Sequence, residues 1–76
     1  MSTPDPVTSR TVTSLAATGF LAQTYGWTAE RAARVLAIAN MAQPGGKAEP
    51  AEGGYVLVTR QGSQFLIEDH TGKDIS

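Results

Sequence analysis

Apolar positions in the first half of the chain recur at helical spacing and predict two helices. For the first helix they form two neighbouring stripes, made of Val12, Leu15, Ala16 and Phe20 and of Ala17, Leu21 and Tyr25. Ser9 is a residue type that caps helices, so the first helix is predicted over about residues 9–25. Gly19 weakens the middle of this segment, which leaves two options: one helix, or two short helices broken near Thr18.

The second helix is predicted over about residues 29–42. Gly26 suits the left-handed position that ends many helices, and Thr28 is a good N-cap, with Glu30 in the first turn behind it. The core stripe of this helix consists of Ala32, Val35, Leu36 and Ala39.

A second face of the same helix is apolar toward its C-terminal end. Ile38 and Met41 continue the face that carries Arg31 and Arg34, so this half of the helix is apolar nearly all round. Such a helix is deeply buried or covered by another element. Ile38 and Met41 are therefore either covered by the rest of the fold or exposed as a patch for a partner or a second copy of the chain.

A β-hairpin is predicted in the C-terminal part of the chain. Its strands cover about residues 55–59 and 64–68, and Gln61–Gly62 between them is a plausible tight turn. A second turn signal follows and allows a short third strand over about residues 73–76, which returns Ile75 to the sheet.

The proposed turn gives the hairpin two different faces. Val58 is expected opposite Phe65 and Val56 opposite Ile67, so these four residues share one apolar face. The other face is more mixed and carries Tyr55, Leu57, Thr59, Gln64, Leu66 and Glu68.

Two segments have the composition of irregular structure. Residues 1–8 contain two prolines and are predicted to be a flexible tail, and residues 43–54, rich in glycine and proline, a flexible linker. Residues 9–76 then form a single small domain of the α+β class. In it the two helices pack on an antiparallel hairpin or three-stranded meander.

Composition narrows the class of protein. The 76-residue chain has no cysteine, and its 6 basic and 7 acidic side chains give a net charge of −1. It contains no apolar run long enough to cross a bilayer, and its first residues lack the pattern of a secretory signal. We therefore expect a soluble, cytoplasmic protein that does not bind membranes.

Residues 20–37 resemble a helix-turn-helix. Leu21, Ala22, Gly26, Val35 and Leu36 match the packing positions of that motif, and the hairpin at 55–68 is similar to the wing of winged-helix regulators. The resemblance implies a DNA-binding transcriptional regulator whose second helix enters the major groove. Its DNA contacts would come from Thr28, Arg31, Arg34 and Arg60.

Charge favours a different interpretation of the same stretch. Phosphate neutralisation dominates affinity for DNA, and three arginines on an acidic chain offer little of it. In the alternative, Gly26 ends one helix and Thr28 starts the next, which makes a simple αα-hairpin. Trp27 at this corner is then either an exposed anchor for a partner or a staple that packs on the following turn.

Catalytic and metal-binding patterns are not evident in the sequence. His70 is the only histidine, and Asp69 beside it does not supply the three or four convergent ligands of a stable metal site. Ser63, His70 and Asp69 are too close in one hairpin to converge as a catalytic triad. We expect no enzyme activity, no cofactor and no bound metal.

Two functional classes remain. The favoured one is a small non-enzymatic protein-binding module, namely a regulator, an inhibitor or an accessory subunit, with a homodimer as one option. Small inhibitor proteins of phage type are one class of proteins that have this size and no catalytic residues. Its candidate contact residues are Trp27, Ile38, Met41, Tyr55 and Leu57. The alternative is the winged-helix-like DNA-binding regulator.

Overall fold

The computed structural model describes residues 7–42 and 45–75, and it shows the α+β fold predicted from the sequence. Its elements are β1 (Thr8–Thr13), α1 (Ser14–Tyr25), α2 (Ala29–Met41), β2 (Lys47–Ala51), β3 (Gly54–Gln61) and β4 (Gln64–Asp69). The strands form one antiparallel four-stranded sheet in the order β1-β4-β3-β2. Helix α1 packs over β1 and β4, and helix α2 packs over β3 and β2.

Strand β1 occupies a segment for which the sequence predicts helix. A helix starting near Ser9 is wrong, because Thr11, Val12 and Thr13 are β-branched and pair with β4. The N-cap of α1 is Thr13, whose Oγ1 accepts a hydrogen bond of 3.3 Å from the backbone N of Ala16. Thr8, predicted to belong to the flexible tail, is the first residue of β1. Of the other predicted tail residues, 1–6 lie outside the described part of the chain.

Helix α1 runs without a break through Gly19, so the one-helix option is confirmed. Ala17 and Leu21 of one predicted stripe are fully buried, and Phe20 of the other is half-buried against the core. Leu15, on the other stripe, is 98% exposed. That stripe was extended from Val12, which belongs to the strand and reaches the core from there.

The corner between the helices forms as predicted. Gly26 adopts a left-handed φ of 71°, and its N–H donates to the carbonyl of Ala22 at 2.9 Å. Thr28 caps α2 by accepting a hydrogen bond of 3.1 Å from the backbone N of Arg31. The predicted core stripe of α2 is buried throughout.

The β3–β4 hairpin keeps its predicted faces but not its predicted register. Gln61 pairs with Gln64, so the loop is Gly62–Ser63, and Val58 lies opposite Ile67 rather than Phe65. Gly62 has a φ of 62°, and a positive φ at the first loop position is what a type II′ turn requires. Because the slip is two residues, each side chain stays on its predicted face.

Strand β2 lies in the segment predicted as a linker, so that prediction is wrong for Lys47–Ala51. Few apolar residues mark this strand. It forms because a turn at Glu52–Gly53 pairs it with β3, and because α2 supplies an ionic partner for its buried Glu49. The turn is a local signal, but the contact between Glu49 and α2 is distant in sequence and leaves no local pattern.

The predicted third strand over about residues 73–76 is also wrong. Residues 73–75 follow β4 without forming a strand, and residue 76 lies outside the described part. Ile75 nevertheless returns to the core, where it is 6% exposed. The sheet gains its additional strands from β1 and β2 instead. In the described part of the chain, no helix is long and apolar enough to cross a membrane.

Candidate functional site

The five residues predicted to contact a partner lie in three different places. Trp27 is 7% exposed and belongs to the core, so it does not offer an exposed anchor. Ile38 is half-buried and Met41 is 79% exposed on the outer side of α2. Tyr55 and Leu57 lie together on the face of the sheet that points away from the helices.

Trp27 has a structural role at the corner between the helices. Its ring lies 5.1 Å from the ring of Tyr25, and the guanidinium of Arg31 sits 4.5 Å from its centroid. The side chain is therefore held between the end of α1 and the start of α2, as in the predicted staple.

The sheet has a second face, opposite the helices, and we call it the open sheet face. Its central rows across the strands are Ser9–Glu68–Leu57–Ala48 and Thr11–Leu66–Thr59, with Tyr55 and His70 at one end. Leu57 and Leu66 are half-buried by their neighbours, and no described element packs over them. The face is therefore aliphatic at its centre and rich in hydroxyl groups around it.

Charge on the open sheet face is sparse. Glu68 is the one carboxylate that the described residues place there, directly between Ser9 and Leu57. At the end of the face, the rings of Tyr55 and His70 stack with centroids 4.4 Å apart and planes 8° from parallel. This stack gives the face a rigid aromatic border.

The residues of the DNA-binding alternative do not form one basic surface. Thr28 is engaged as the N-cap of α2. Arg31 donates to Glu49 Oε2 at 2.8 Å and to the carbonyl O of Pro50 at 2.7 Å, which ties α2 to β2. Arg60 donates to the carbonyl O of Gly62 at 2.7 Å and to Asn40 Oδ1. Of the three arginines in this set, only Arg34 is exposed.

A polar cleft of about 980 Å³ opens near the ends of β2 and β4. It lies between the corner of the helices, the β2–β3 turn and residues 71–73. The cationic groups at its rim are engaged within the chain, because Arg31 binds β2 and Lys73 Nζ donates to the carbonyl O of Thr24. Arg31 and Lys73 at the rim are therefore not available as free cations for a ligand of the cleft.

Asp69 beneath this cleft is the charged group whose surroundings are most unusual. It is fully buried, and it accepts hydrogen bonds of 2.7 Å from the Tyr25 hydroxyl and from the backbone N of Thr71, and a further one from Thr71 Oγ1. Burial alone would raise the pKa of Asp69, but these hydrogen bonds and the charge of Lys73 outweigh it and hold the pKa below its usual value.

The pKa of Tyr25 shifts in the opposite direction to that of Asp69. Burial, together with its hydrogen bond to the Asp69 carboxylate and the charge of that carboxylate, raises the pKa of the Tyr25 hydroxyl. The pair therefore carries one negative charge, held on Asp69, with a protonated tyrosine as donor. The carboxylate of Asp69 thus connects the end of α1 with the residues that follow β4.

Sequence reasoning placed Leu66 and Glu68 on the correct face of the hairpin but did not include them among the contact residues. The feature of the sequence that points to them is the mixed face of the hairpin, on which Leu57 and Leu66 alternate with polar residues. Within residues 7–42 and 45–75, no group of three or more metal-ligating side chains converges. Comparisons with protein-family models, curated proteins and solved structures find no match to this chain.

Proposed function

We propose that this chain is a small non-enzymatic protein-binding module that contacts its partner through the open sheet face. The observation that carries the proposal is the position of Leu57 and Leu66 at the centre of a four-stranded face on which no described element packs. Partly exposed apolar groups surrounded by polar ones are typical of protein-interaction sites.

The chemistry of the face indicates the kind of partner. An apolar patch on the partner would cover Leu57 and Leu66, and hydroxyl groups of the surrounding threonines would form the polar rim. A lysine or arginine of the partner would face Glu68, because a carboxylate covered by an interface needs an opposite charge. The partner is therefore a protein with an apolar surface that bears a cation.

Two other surfaces support a binding function less well. Met41 is exposed on α2, but Ile38 beside it is half-buried, so the predicted helix patch is small. The DNA-binding alternative rests on arginines of which two, Arg31 and Arg60, are already bonded within the chain. We therefore propose the sheet face rather than the helix face as the contact surface.

The test compares matched leucine substitutions. A partner would be identified by affinity capture from the source cells and purified, and its affinity measured by calorimetry. Leu57→Thr and Leu66→Thr keep strand propensity but remove apolar contact area, and each is expected to weaken binding at least about tenfold, or about 1.4 kcal/mol. Leu15→Thr is the control, because Leu15 is 98% exposed and lies on α1.

Charge and alternative surfaces are tested in the same assay. Glu68→Gln is expected to slow association and to reduce its dependence on salt. Unchanged affinity of both threonine variants, or a loss confined to Met41→Asp, would show that the open sheet face is not the contact surface. Binding to a random DNA duplex that weakens steeply with salt would support the winged-helix alternative instead.

A further inference from the structure

The two edges of the sheet differ in their backbone chemistry. At the β2 edge Pro50 has no N–H to donate, and its carbonyl O already accepts from Arg31 Nη2 at 2.7 Å. Proline and a covering side chain are both devices that prevent another strand from pairing with an edge. The β2 edge is therefore blocked at Pro50.

No described strand pairs with the outer edge of β1. Gln61 and Gln64 flank a two-residue loop, so the even-numbered residues of β4 exchange hydrogen bonds with β3 and the odd-numbered ones face β1. Their partners in β1 are its even-numbered residues, which leaves the N–H and C=O groups of Ser9 and Thr11 pointing outward. Among the described residues, no hydrogen bond reaches these outward groups, and both residues are exposed.

We propose that β1 pairs in antiparallel fashion with β1 of a second copy of this chain, which joins two four-stranded sheets into one continuous sheet. Pairing of β1 with β2 of another copy is prevented by Pro50 and Arg31. Only the two-fold arrangement remains, and it is closed, so it gives a dimer rather than a fibre.

Side-chain chemistry selects the register of this pairing. Side chains that lie opposite each other on paired strands point to the same face of the sheet. The helices of both copies therefore lie on one side of the continuous sheet only when odd-numbered residues of one β1 lie opposite odd-numbered residues of the other. Of the two central registers, one places Arg10 directly opposite Arg10 of the second copy, which like charge disfavours. The other places Thr11 opposite Thr11, Arg10 opposite Val12 and Ser9 opposite Thr13, so hydroxyl groups pair on the open sheet face.

Helix α1 fits this arrangement in position and in composition. It lies over the β1–β4 pair, and the two-fold axis of the dimer would lie midway between the two β1 strands. Because neighbouring strands are about 4.8 Å apart, each α1 would lie about one strand spacing from this axis, and the two α1 axes would be about 10 Å apart. That separation is suitable for helix packing. The sequence of α1 contains no charged residue, and its exposed Ala16 is small enough for close approach. Arg10 stays with its own helix, with its guanidinium 5.3 Å from the ring centroid of Phe20.

Self-association through β1 goes beyond the proposed binding function and does not rest on it. The open sheet face is perpendicular to the edge groups that pair, so a dimer would carry two such faces side by side. Loss of partner binding in the leucine variants and loss of the dimer are therefore separate outcomes.

The first test uses proline on each edge. Thr11→Pro and Ala48→Pro each remove an outward N–H that the sheet does not use, so both variants keep the ladder within the monomer. Light scattering and sedimentation equilibrium from low to high micromolar concentration should show a dimer for the unmodified chain and for Ala48→Pro. Thr11→Pro should be a monomer. A monomer at all concentrations, or a dimer that survives Thr11→Pro, would overturn the proposal.

The second test reports the register and does not depend on the fold of a proline variant. The chain has no cysteine, so a single introduced thiol reports only on its own surroundings. In the proposed register the Cα atoms of two Thr11→Cys chains are about 5.5 Å apart, within disulfide range, whereas those of Ser9→Cys are separated by about 13 Å along the strands. Mild oxidation should therefore crosslink Thr11→Cys and not Ser9→Cys. The reverse result, or no crosslinking in either variant, would contradict this pairing.

Discussion

The hydroxyl of Tyr25 donates a hydrogen bond of 2.7 Å to Oδ2 of Asp69, and this bond joins the last residue of α1 to the last residue of β4. The other carboxylate oxygen accepts from Thr71, which begins the segment that returns Ile75 to the core. One buried charge thus positions the helix layer, the sheet and the C-terminal segment relative to one another.

Removal of this charge should reduce stability in a pH-dependent manner. The folded pKa of Asp69 lies below its unfolded value, so its stabilisation is fully present above about pH 4 and is lost as the pH falls through the folded pKa. Asp69→Asn is expected to lower the free energy of unfolding by about 1–3 kcal/mol at pH 7. Urea titrations from neutral to acidic pH should show the difference between the two proteins narrowing with acid. A difference that does not change with pH would contradict this account.

The ion pair between Arg31 and Glu49 should hold β2 to α2. Glu49 is 7% exposed, so Arg31→Met leaves a buried carboxylate whose remaining cationic neighbour is Lys47 Nζ at 3.7 Å. Because Arg31 itself is partly exposed, we expect a loss of about 1–3 kcal/mol, which is less than for a fully buried pair. A double-mutant cycle with Glu49→Gln measures the coupling between the two side chains. Additive effects of the two substitutions would show that the pair contributes nothing beyond its separate contacts.

Thr28 should act as a helix cap. Its Oγ1 accepts from the backbone N of Arg31, so Thr28→Ala is expected to lower the free energy of unfolding by about 1 kcal/mol. Thr28→Ser keeps the acceptor and is the control. Chemical denaturation of the three proteins measures the difference. Equal stability of the alanine and serine variants would leave the cap without an energetic role.

Two glycines should respond in opposite directions to alanine. Nothing lies within 4 Å of a Cβ added at Gly19, so Gly19→Ala in helix α1 should stabilise the protein by about 0.5–1 kcal/mol. A Cβ added at Gly54 would overlap the carbonyl O of His70, which cannot move without disturbing the end of β4. Gly54→Ala should therefore lower the melting temperature, and Gly19→Ala should raise it. Calorimetry of both variants measures these shifts, and a decrease for both would show that Gly19 has a role that its surroundings do not explain.

Elements whose causes are local were predicted from the sequence. The corner at Gly26 and Thr28 depends on one left-handed residue and one cap, and both signals are present in adjacent residues. The apolar face of the hairpin depends on alternation alone. It therefore remained correct although the turn lay at Gly62–Ser63 and not at Gln61–Gly62.

Elements whose causes are distant were missed. Strand β2 has its buried position occupied by Glu49, and the close contact with Arg31 of α2, together with a longer one to Lys47, makes that burial favourable. In β1 the apolar Val12 continued a helical stripe by coincidence of spacing, and its partner Phe65 lies far along the chain. The open sheet face was recognised only in part for the same reason, because Ser9 and Thr11 join it through that long-range pairing.

The pairing of β1 with β4 also determines when the domain can form during synthesis. The first described strand is hydrogen-bonded to the last, with Thr8 opposite Asp69, so β1 leaves the ribosome long before the described strand that pairs with it. Until residues 64–69 follow, Val12 has no strand beside it, although the corner between α1 and α2 depends only on local contacts. The helical hairpin is therefore free to assemble on the nascent chain, whereas the sheet closes in one late step of high contact order.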